Sequence, residues 1–354
     1  MGSIAGHNEG AILLKHHERS RILVIGTGNF GTCLAQHVAV KGYAVTVWTR
    51  TAETAKHINE KRRNPKYLST ITLSDRIDAT NNITADMVSD CAVVIVTVPT
   101  QAMREVLERF KPYLRPNQLL IGAAKGIEIG SLEFPGGIIS SVLGSEAGRN
   151  SVVLSGPSFA SEVIERQPTA VSLASHSQER CQWAQEILHT PHFRAYTSSD
   201  PIGLEVAGAL KNVIAIASGA SAGIGFQQNS LAALLTRGLA EITRIGVALG
   251  ANPLTFNGLG GVGDLFLTCT SAKSRNYTVG FRLGKGESLE HVMETVGSVA
   301  EGITTAASAY ALSQRLGVDA PITTEVYNVL YQKKAIVQAV TSLLTREAKP
   351  EFTS

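Results

Sequence analysis

Between Arg21 and about Thr197 the chain alternates short apolar runs with segments of helical period. The runs are "RILVI" (Arg21–Ile25), "AVTVW" (Ala44–Trp48), "AVVIVTV" (Ala92–Val98), "LLIGAA" (Leu119–Ala124), "VVLS" (Val152–Ser155) and "TAVSLAS" (Thr169–Ser175). Continuous apolar runs suit strands of a parallel sheet covered on both faces. Strands alternating with helices predict a doubly wound α/β domain. After Pro201 strand signals almost vanish. Long Ala-, Leu- and Gly-rich segments of helical spacing take over, at Asn229–Leu249, Val299–Leu316 and Thr323–Tyr331. They predict an all-helical second domain. The expected organisation is an extension over residues 1–20, an α/β domain over 21–197, a helical domain over 198–345 and a tail over 346–354. No repeat or low-complexity linker separates the halves, so close packing around a cleft is expected.

Length and composition fit this division. The 354 residues exceed what one hydrophobic core serves. With 44% hydrophobic and 17% charged residues the chain is globular rather than disordered. A net charge of +3 favours no nucleic-acid partner. The densest basic stretch, "EKRRNPK" (Glu60–Lys66), reads as a solvated face or loop. Cys33, Cys91, Cys181 and Cys269 are widely separated and form no CxxC, so reduced thiols and a cytoplasmic setting are expected, without a metal site. No apolar run reaches the roughly 18 residues of a membrane span. The first 20 residues carry neither a signal-peptide cleavage pattern nor a myristoylation motif, and read as a disordered extension.

One segment resists a purely structural reading. In "LEVAGALKNVIAIASG" (Leu204–Gly219), Lys211 and Asn212 interrupt a stretch of small and apolar residues. Burying an ammonium costs several kcal/mol unless something pairs with it. A lysine can snorkel along apolar surface, but the seven residues after Asn212 offer no polar group stronger than Ser218.

The first half opens with a dinucleotide motif. In "RILVIGTGNFGTCLAQHVAVKGYAVTVWTR" a strand runs into Gly26-x-Gly28-x-x-Gly31, a helix follows, and a second strand ends at Trp48. The glycines serve the tight turn, the approach of backbone to pyrophosphate, and close helix–strand packing. The helix N-terminus offers its N–H groups to the phosphates. A Rossmann-like domain is expected. NAD-specific sites tend to place an acid after the second strand, whereas here stands Arg50, with no acid before Glu53. Arginine can grip a 2′-phosphate bidentately, which favours NADP(H), with NAD(H) accepted too. An ordinary surface arginine is the alternative.

Ligands of such sheets bind beyond the carboxyl ends of the strands. "VPTQ" (Val98–Gln101), "AKGIE" (Ala124–Glu128) and "SGPSFA" (Ser155–Ala160) follow the third, fourth and fifth runs, which sets Lys125 at the mouth of the cofactor site. In the second half "GLGGVGDLFLTCTSAKSRNYTVG" (Gly258–Gly280) contains one acid, Asp264, and an Arg275-Asn276 pair suited to a phosphate. Glycine-rich turns capped by Asp are common, but the coincidence of Lys211, Asp264 and Arg275 in one helical domain weakens that reading.

On these motifs the chain resembles the soluble NAD(P)-dependent glycerol-3-phosphate dehydrogenases typical of bacteria. "GTGNFGT", "AAKGIE", "SGPSFA", "ALKNVIAIASG", "GVGDLFLTC", "SRN" and "VAEG" occur in the family's order and spacing, from about Arg21 to Leu344. The resemblance implies reversible reduction of dihydroxyacetone phosphate to sn-glycerol 3-phosphate with NADP(H) or NAD(H), feeding glycerophospholipid synthesis, by a cytoplasmic homodimer. It implies Lys211 as proton donor and acceptor, Lys125 as a contact of both substrate and cofactor, and Asp264 as the group that holds the ammonium. Gly156, Ser158, Asn212, Asp264, Ser274, Arg275 and Asn276 become substrate contacts. Gly26, Gly28, Asn29, Phe30, Gly31, Arg50, Ala160, Arg275, Val299 and Glu301 become cofactor contacts. A lysine desolvated in a helix near a second cation should have its pKa pushed toward neutrality. The rivals are a β-hydroxyacid or 6-phosphogluconate-type dehydrogenase, disfavoured by Arg275-Asn276 and "GVGDL", and a non-catalytic NAD(P)H sensor, which could dispense with Lys211, Lys125 and Asp264.

Overall fold

The computed structural model describes residues 21–296, 300–348 and 350–351. The expected extension at residues 1–20 and the candidate contact Val299 lie outside the described residues. Eight strands form one sheet: β1 (Arg21–Ile25), β2 (Ala44–Trp48), β3 (Ile77–Thr80), β4 (Cys91–Val96), β5 (Leu119–Gly122), β6 (Val152–Ser155), β7 (Thr169–Ala174) and β8 (Phe193–Ser198). Their order is β3-β2-β1-β4-β5-β6-β7-β8. β1 pairs in parallel with both β2 and β4, so the strand order reverses beside β1, where such sheets take a dinucleotide.

The helices of this part are α1 (Asn29–Val40), α2 (Ala52–Lys61), α3 (Ala85–Ser89), α4 (Thr100–Phe110), α5 (Pro135–Leu143), α6 (Ser145–Asn150), α7 (Ala160–Ile164) and α8 (Gln178–Leu188). They cover both faces of the sheet. Along β1, Ile22 and Val24 enter one hydrophobic cluster while Leu23 and Ile25 enter another. That is why the strand reads as an unbroken apolar run.

Two strands were not expected from the sequence, β3 and β8. Both end the sheet, and their residues alternate between buried and more exposed positions, as in the Ile77, Asp78, Ala79 succession. With one face less covered, neither carries the continuous apolar run that marks the interior strands.

The second part holds α9 (Pro201–Gly223), α10 (Gln228–Ala248), α11 (Asp264–Cys269), α12 (Arg275–Gly284), α13 (Leu289–Thr295), α14 (Glu301–Leu316), α15 (Pro321–Tyr331) and α16 (Ile336–Leu344). The contacts group the chain into two units. One takes in the chain up to Ala124, Pro135–Leu154 and Ser158–Pro201; the other takes in Lys125–Phe134, Ser155–Pro157 and the chain from Ile202 onward. Two short segments, one carrying Lys125 and one carrying Gly156, thus pack with the helical unit. α9 is the one described helix long and apolar enough to cross a membrane, and 89% of its most apolar window is buried in the protein. It is the core helix of the second unit, with Val206, Leu210, Val213 and Ile214 in the hydrophobic cluster.

Candidate active site

In the first unit the glycine motif is held by backbone crowding and by neutral side chains. Gly26 has φ of +112°, in the left-handed region. A Cβ on Gly31 would stand 2.2 Å from the carbonyl oxygen of Gly26, so no other residue fits. Thr97, at the end of β4, donates to the carbonyls of Ile25 (3.0 Å) and Gly26 (3.2 Å). Asn64 is buried. Its Nδ2 donates to Thr27 O (2.9 Å) and Thr32 Oγ1 (2.8 Å), and its Oδ1 accepts from the N–H groups of Lys66 and Tyr67, both at 3.0 Å. One amide therefore locks the segment after α2 onto the glycine-rich turn.

The reading of "EKRRNPK" as solvated surface holds for most of its charges but not for Asn64. Nothing in the sequence separates that amide from its exposed neighbours, because an Asn among basic residues carries no burial signal.

This turn fits a dinucleotide. α1 has no side-chain N-cap and no acid in its first turn, so its leading N–H groups are not answered by its own side chains. A Cβ on Gly28, at the N-cap, would meet nothing within 4 Å, leaving the space an incoming phosphate needs. Asn29 and Phe30 begin α1, and Phe30 packs against the sheet core. Arg50 is exposed just after β2, followed by Thr51, which caps α2. Ser158 and Ala160 also belong to this unit.

The second unit concentrates charge instead. Lys211 lies in mid-α9, and Asp264 opens α11 after a π-helical turn, Leu259–Gly263. Lys211 is 6% exposed and Asp264 1%. Lys211 Nζ donates to Asp264 Oδ1 at 2.5 Å and to Thr268 Oγ1 at 2.8 Å. Lys125 Nζ donates to the other carboxylate oxygen, Oδ2, at 2.7 Å, and lies 3.4 Å from Gly156 O. One buried carboxylate thus holds two ammonium groups. Thr268 Oγ1 also donates to Asp264 O at 2.6 Å, one turn back on α11.

Burial pushes the Lys211 ammonium down to about 8; Asp264 opposes that shift and Lys125 adds to it. Burial alone would raise the Asp264 carboxyl, but Lys125 and Lys211 outweigh it and hold the group below the usual carboxylate range. The arrangement can keep Asp264 ionised at every neutral pH and release a proton from Lys211 at mildly alkaline pH.

Asn212 follows on α9, its Nδ2 donating to the carbonyls of Lys125 and Gly208 at 3.4 Å each. Ser274 caps α12, and Asn276 Oδ1 accepts from Gly302 N at 3.0 Å. That bond joins the N-termini of α12 and α14, whose first residues are Arg275 and Glu301. A Cβ on Gly302 would come within 2.7 Å of both Asn212 O and Asn276 Oδ1. Lys211-Asn212 and Ser274-Arg275-Asn276, far apart in sequence, are thereby drawn together.

Helix packing brings them there. A Cβ on Gly219 would stand 2.0 Å from Tyr277 O, and one on Gly280 1.9 Å from Ile216 O. With Gly223 and Gly284 one turn further on, α9 and α12 touch backbone to backbone. Thr268 and these paired glycines were not singled out from the sequence. The hydroxyl carries no pattern of its own, and the glycine spacing means nothing until the two helices are paired.

A glycine-rich βαβ unit at a strand-order reversal, with a buried lysine–carboxylate centre in a helical unit, defines a dinucleotide-dependent dehydrogenase. Comparison with known proteins narrows the class. Residues 21–181 match the family model for the N-terminus of NAD-dependent glycerol-3-phosphate dehydrogenase, and residues 200–341 match the model for its C-terminus. The chain is 45% identical over 331 residues to glycerol-3-phosphate dehydrogenase [NAD(P)+] of Leptospira biflexa, covering 94% of this chain and 99% of that one. It is 47% identical to the Geobacter sulfurreducens protein of the same name, covering 94% and 98%. A crystal structure of glycerol-3-phosphate dehydrogenase from Coxiella burnetii superposes with a TM-score of 0.88 at 33% identity, over 93% of this chain and 100% of that one. The chain belongs to the NAD-dependent glycerol-3-phosphate dehydrogenase family.

Proposed function

We propose that this protein catalyses the reversible NAD(P)H-dependent reduction of dihydroxyacetone phosphate to sn-glycerol 3-phosphate. The observation that carries the reading is the buried Lys211 ammonium, 2.5 Å from a carboxylate and pushed to about 8. Reducing a ketone adds a hydride to carbon and a proton to oxygen, and the nicotinamide supplies the hydride when bound. Lys211 Nζ gives its proton to the carbonyl oxygen: the N–H bond breaks, the O–H bond forms, and the neutral amine regains a proton from solvent. In oxidation the neutral amine takes the hydroxyl proton. Asp264 aims the amine, Thr268 fixes its approach, and Lys125 offers a second cation to the polarised oxygen.

Ser274, Arg275 and Asn276 form the phosphate grip, with Asn212, Gly156 and Ser158 completing the substrate contacts. Gly26, Gly28, Asn29, Phe30, Gly31, Ala160, Val299 and Glu301 serve the cofactor, and Arg50 receives a 2′-phosphate, which favours NADP(H). The cofactor-binding domain spans 21–197 and the catalytic domain 198–345, the catalytic domain also drawing on Lys125–Phe134 and Ser155–Pro157, which pack with the helical unit. It acts as a cytoplasmic homodimer supplying glycerophospholipid synthesis.

The test compares dihydroxyacetone phosphate with unphosphorylated dihydroxyacetone by loss of nicotinamide absorbance. The wild type should turn over the phosphate ester far better. Arg275→Lys keeps the charge but loses the bidentate fork, so it should erode that preference, lowering kcat as well as raising KM for the ester alone. Equal use of both substrates by the wild type would overturn the reading.

A further inference from the structure

An apolar cavity lies wholly within the helical unit and shares none of the candidate catalytic, substrate or cofactor residues named above. It offers about 600 Å³ between α9, α10, α15 and α16 and is open to solvent on one side. Its walls are apolar, with Ile216, Ala220, Leu234, Val326, Val340 and Leu343 typical of them. Cavities of roughly 300–1,000 Å³ with apolar walls and few polar groups are what small-molecule ligands occupy.

The charged groups at its edge are nearly all answered within the protein. Glu241 accepts the N–H groups of Ile322 (2.9 Å) and Thr323 (2.8 Å) at the start of α15. Arg244 donates to Asp319 O at 2.9 Å. Arg346 pairs with Asp319 at 2.8 Å, and Lys334 with Glu325 at 2.7 Å. Arg237 differs. It lines the cavity from α10, is half-buried, and its guanidinium has no hydrogen-bond or ion-pair partner among the described residues. An apolar chamber with one unanswered cation calls for a ligand with an apolar body and an anionic end. α16 is the least buried of these walls: Ala339 is its one buried residue, while Val337 and Leu344 are 66% and 76% exposed.

We propose that this cavity binds the acyl chain of a fatty carboxylate, with Arg237 holding the carboxylate. The site is independent of the dehydrogenase reading, because neither Arg237 nor the cavity walls belong to the reaction centre.

Isothermal titration calorimetry of the full chain with octanoate, decanoate and decanol, below their micelle concentrations, tests it. Decanoate should bind about tenfold more tightly than octanoate, the gain expected from burying two more methylenes. Arg237→Gln should weaken decanoate about tenfold or more and leave decanol unchanged. Ala233→Trp, which fills the chamber from α10, should abolish binding of both, with dehydrogenase turnover retained as evidence of an intact fold. Absence of decanoate binding to the wild type overturns the proposal. So does binding that neither variant alters, which would be nonspecific. Sedimentation velocity on the same samples covers the remaining outcome. If the wild type binds no carboxylate and Ala233→Trp splits an oligomer, the cavity is closed by a second copy of the chain and the proposal falls.

Discussion

The two units hold their candidate sites together by opposite means. In the first, the groups around the glycine turn are uncharged: backbone N–H, Thr97, Thr27, Thr32 and Asn64, bonded among themselves. In the second, the Asp264 carboxylate lies 2.7 Å from the Lys125 ammonium and 2.5 Å from that of Lys211, and two of these three side chains are almost wholly buried. Neutral networks hold shape and are indifferent to pH. Buried charges hold a proton balance, and removing one partner leaves the others uncompensated.

The largest effect should follow Asp264→Asn, which leaves Lys125 and Lys211 facing each other without their shared carboxylate. The expected loss is about 3–5 kcal/mol, read as a lower urea midpoint. Without the carboxylate, Lys211 is held neutral over a wider pH range in the folded state, while the unfolded chain keeps it protonated to its ordinary range. The unfolded state then binds more protons, so the deficit should shrink as pH rises. A deficit that does not change with pH would show that the asparagine fails for reasons of shape.

Arg50→Ala should act on the cofactor alone. Loss of a charge-assisted contact to a 2′-phosphate is worth on the order of 1.5–3 kcal/mol, so KM for NADPH should rise by tenfold or more while that for NADH barely moves. Equal changes in both would place the phosphate contact elsewhere.

Two glycine substitutions set the units side by side. Gly280→Ala drives a Cβ to 1.9 Å from Ile216 O, so α12 must move off α9. We expect about 1–3 kcal/mol of destabilisation and a lower kcat/KM, because the start of α12 shifts relative to Lys211. Gly28→Ala meets nothing within 4 Å. Thermal unfolding should leave it within about 0.5 kcal/mol of wild type, yet its methyl would enter the space proposed for the dinucleotide, so cofactor KM should rise. A Gly28→Ala protein with normal cofactor KM would remove the pyrophosphate from that turn.

What the sequence disclosed follows the same physical line. Interior strands were legible because cover on both faces demands unbroken apolar runs; β3 and β8, at the ends of the sheet, escaped because each has a less covered face. Lys211 and Asp264 were legible because a charge inside an apolar segment is costly and needs a reason. Thr268 and Asn64 are just as tightly bonded, but a hydroxyl or amide costs less to bury and leaves no such mark. The contact of Gly219 with Gly280's helix depends on two segments about sixty residues apart, and only the pairing of α9 with α12 reveals it.

The central claim is that Lys211 carries the proton, and the pH dependence of kcat/KM tests it most directly. Reduction needs the ammonium, so kcat/KM for dihydroxyacetone phosphate should be flat at lower pH and fall tenfold per unit above about 8. Oxidation of sn-glycerol 3-phosphate needs the neutral amine, so its kcat/KM should rise to a plateau about the same midpoint. Lys211→Met should lose about 10²–10⁴-fold in both directions and show neither limb. A reduction profile that stays flat to the ordinary lysine range near 10.5, or a Lys211→Met enzyme that keeps the limb near 8, would contradict the account.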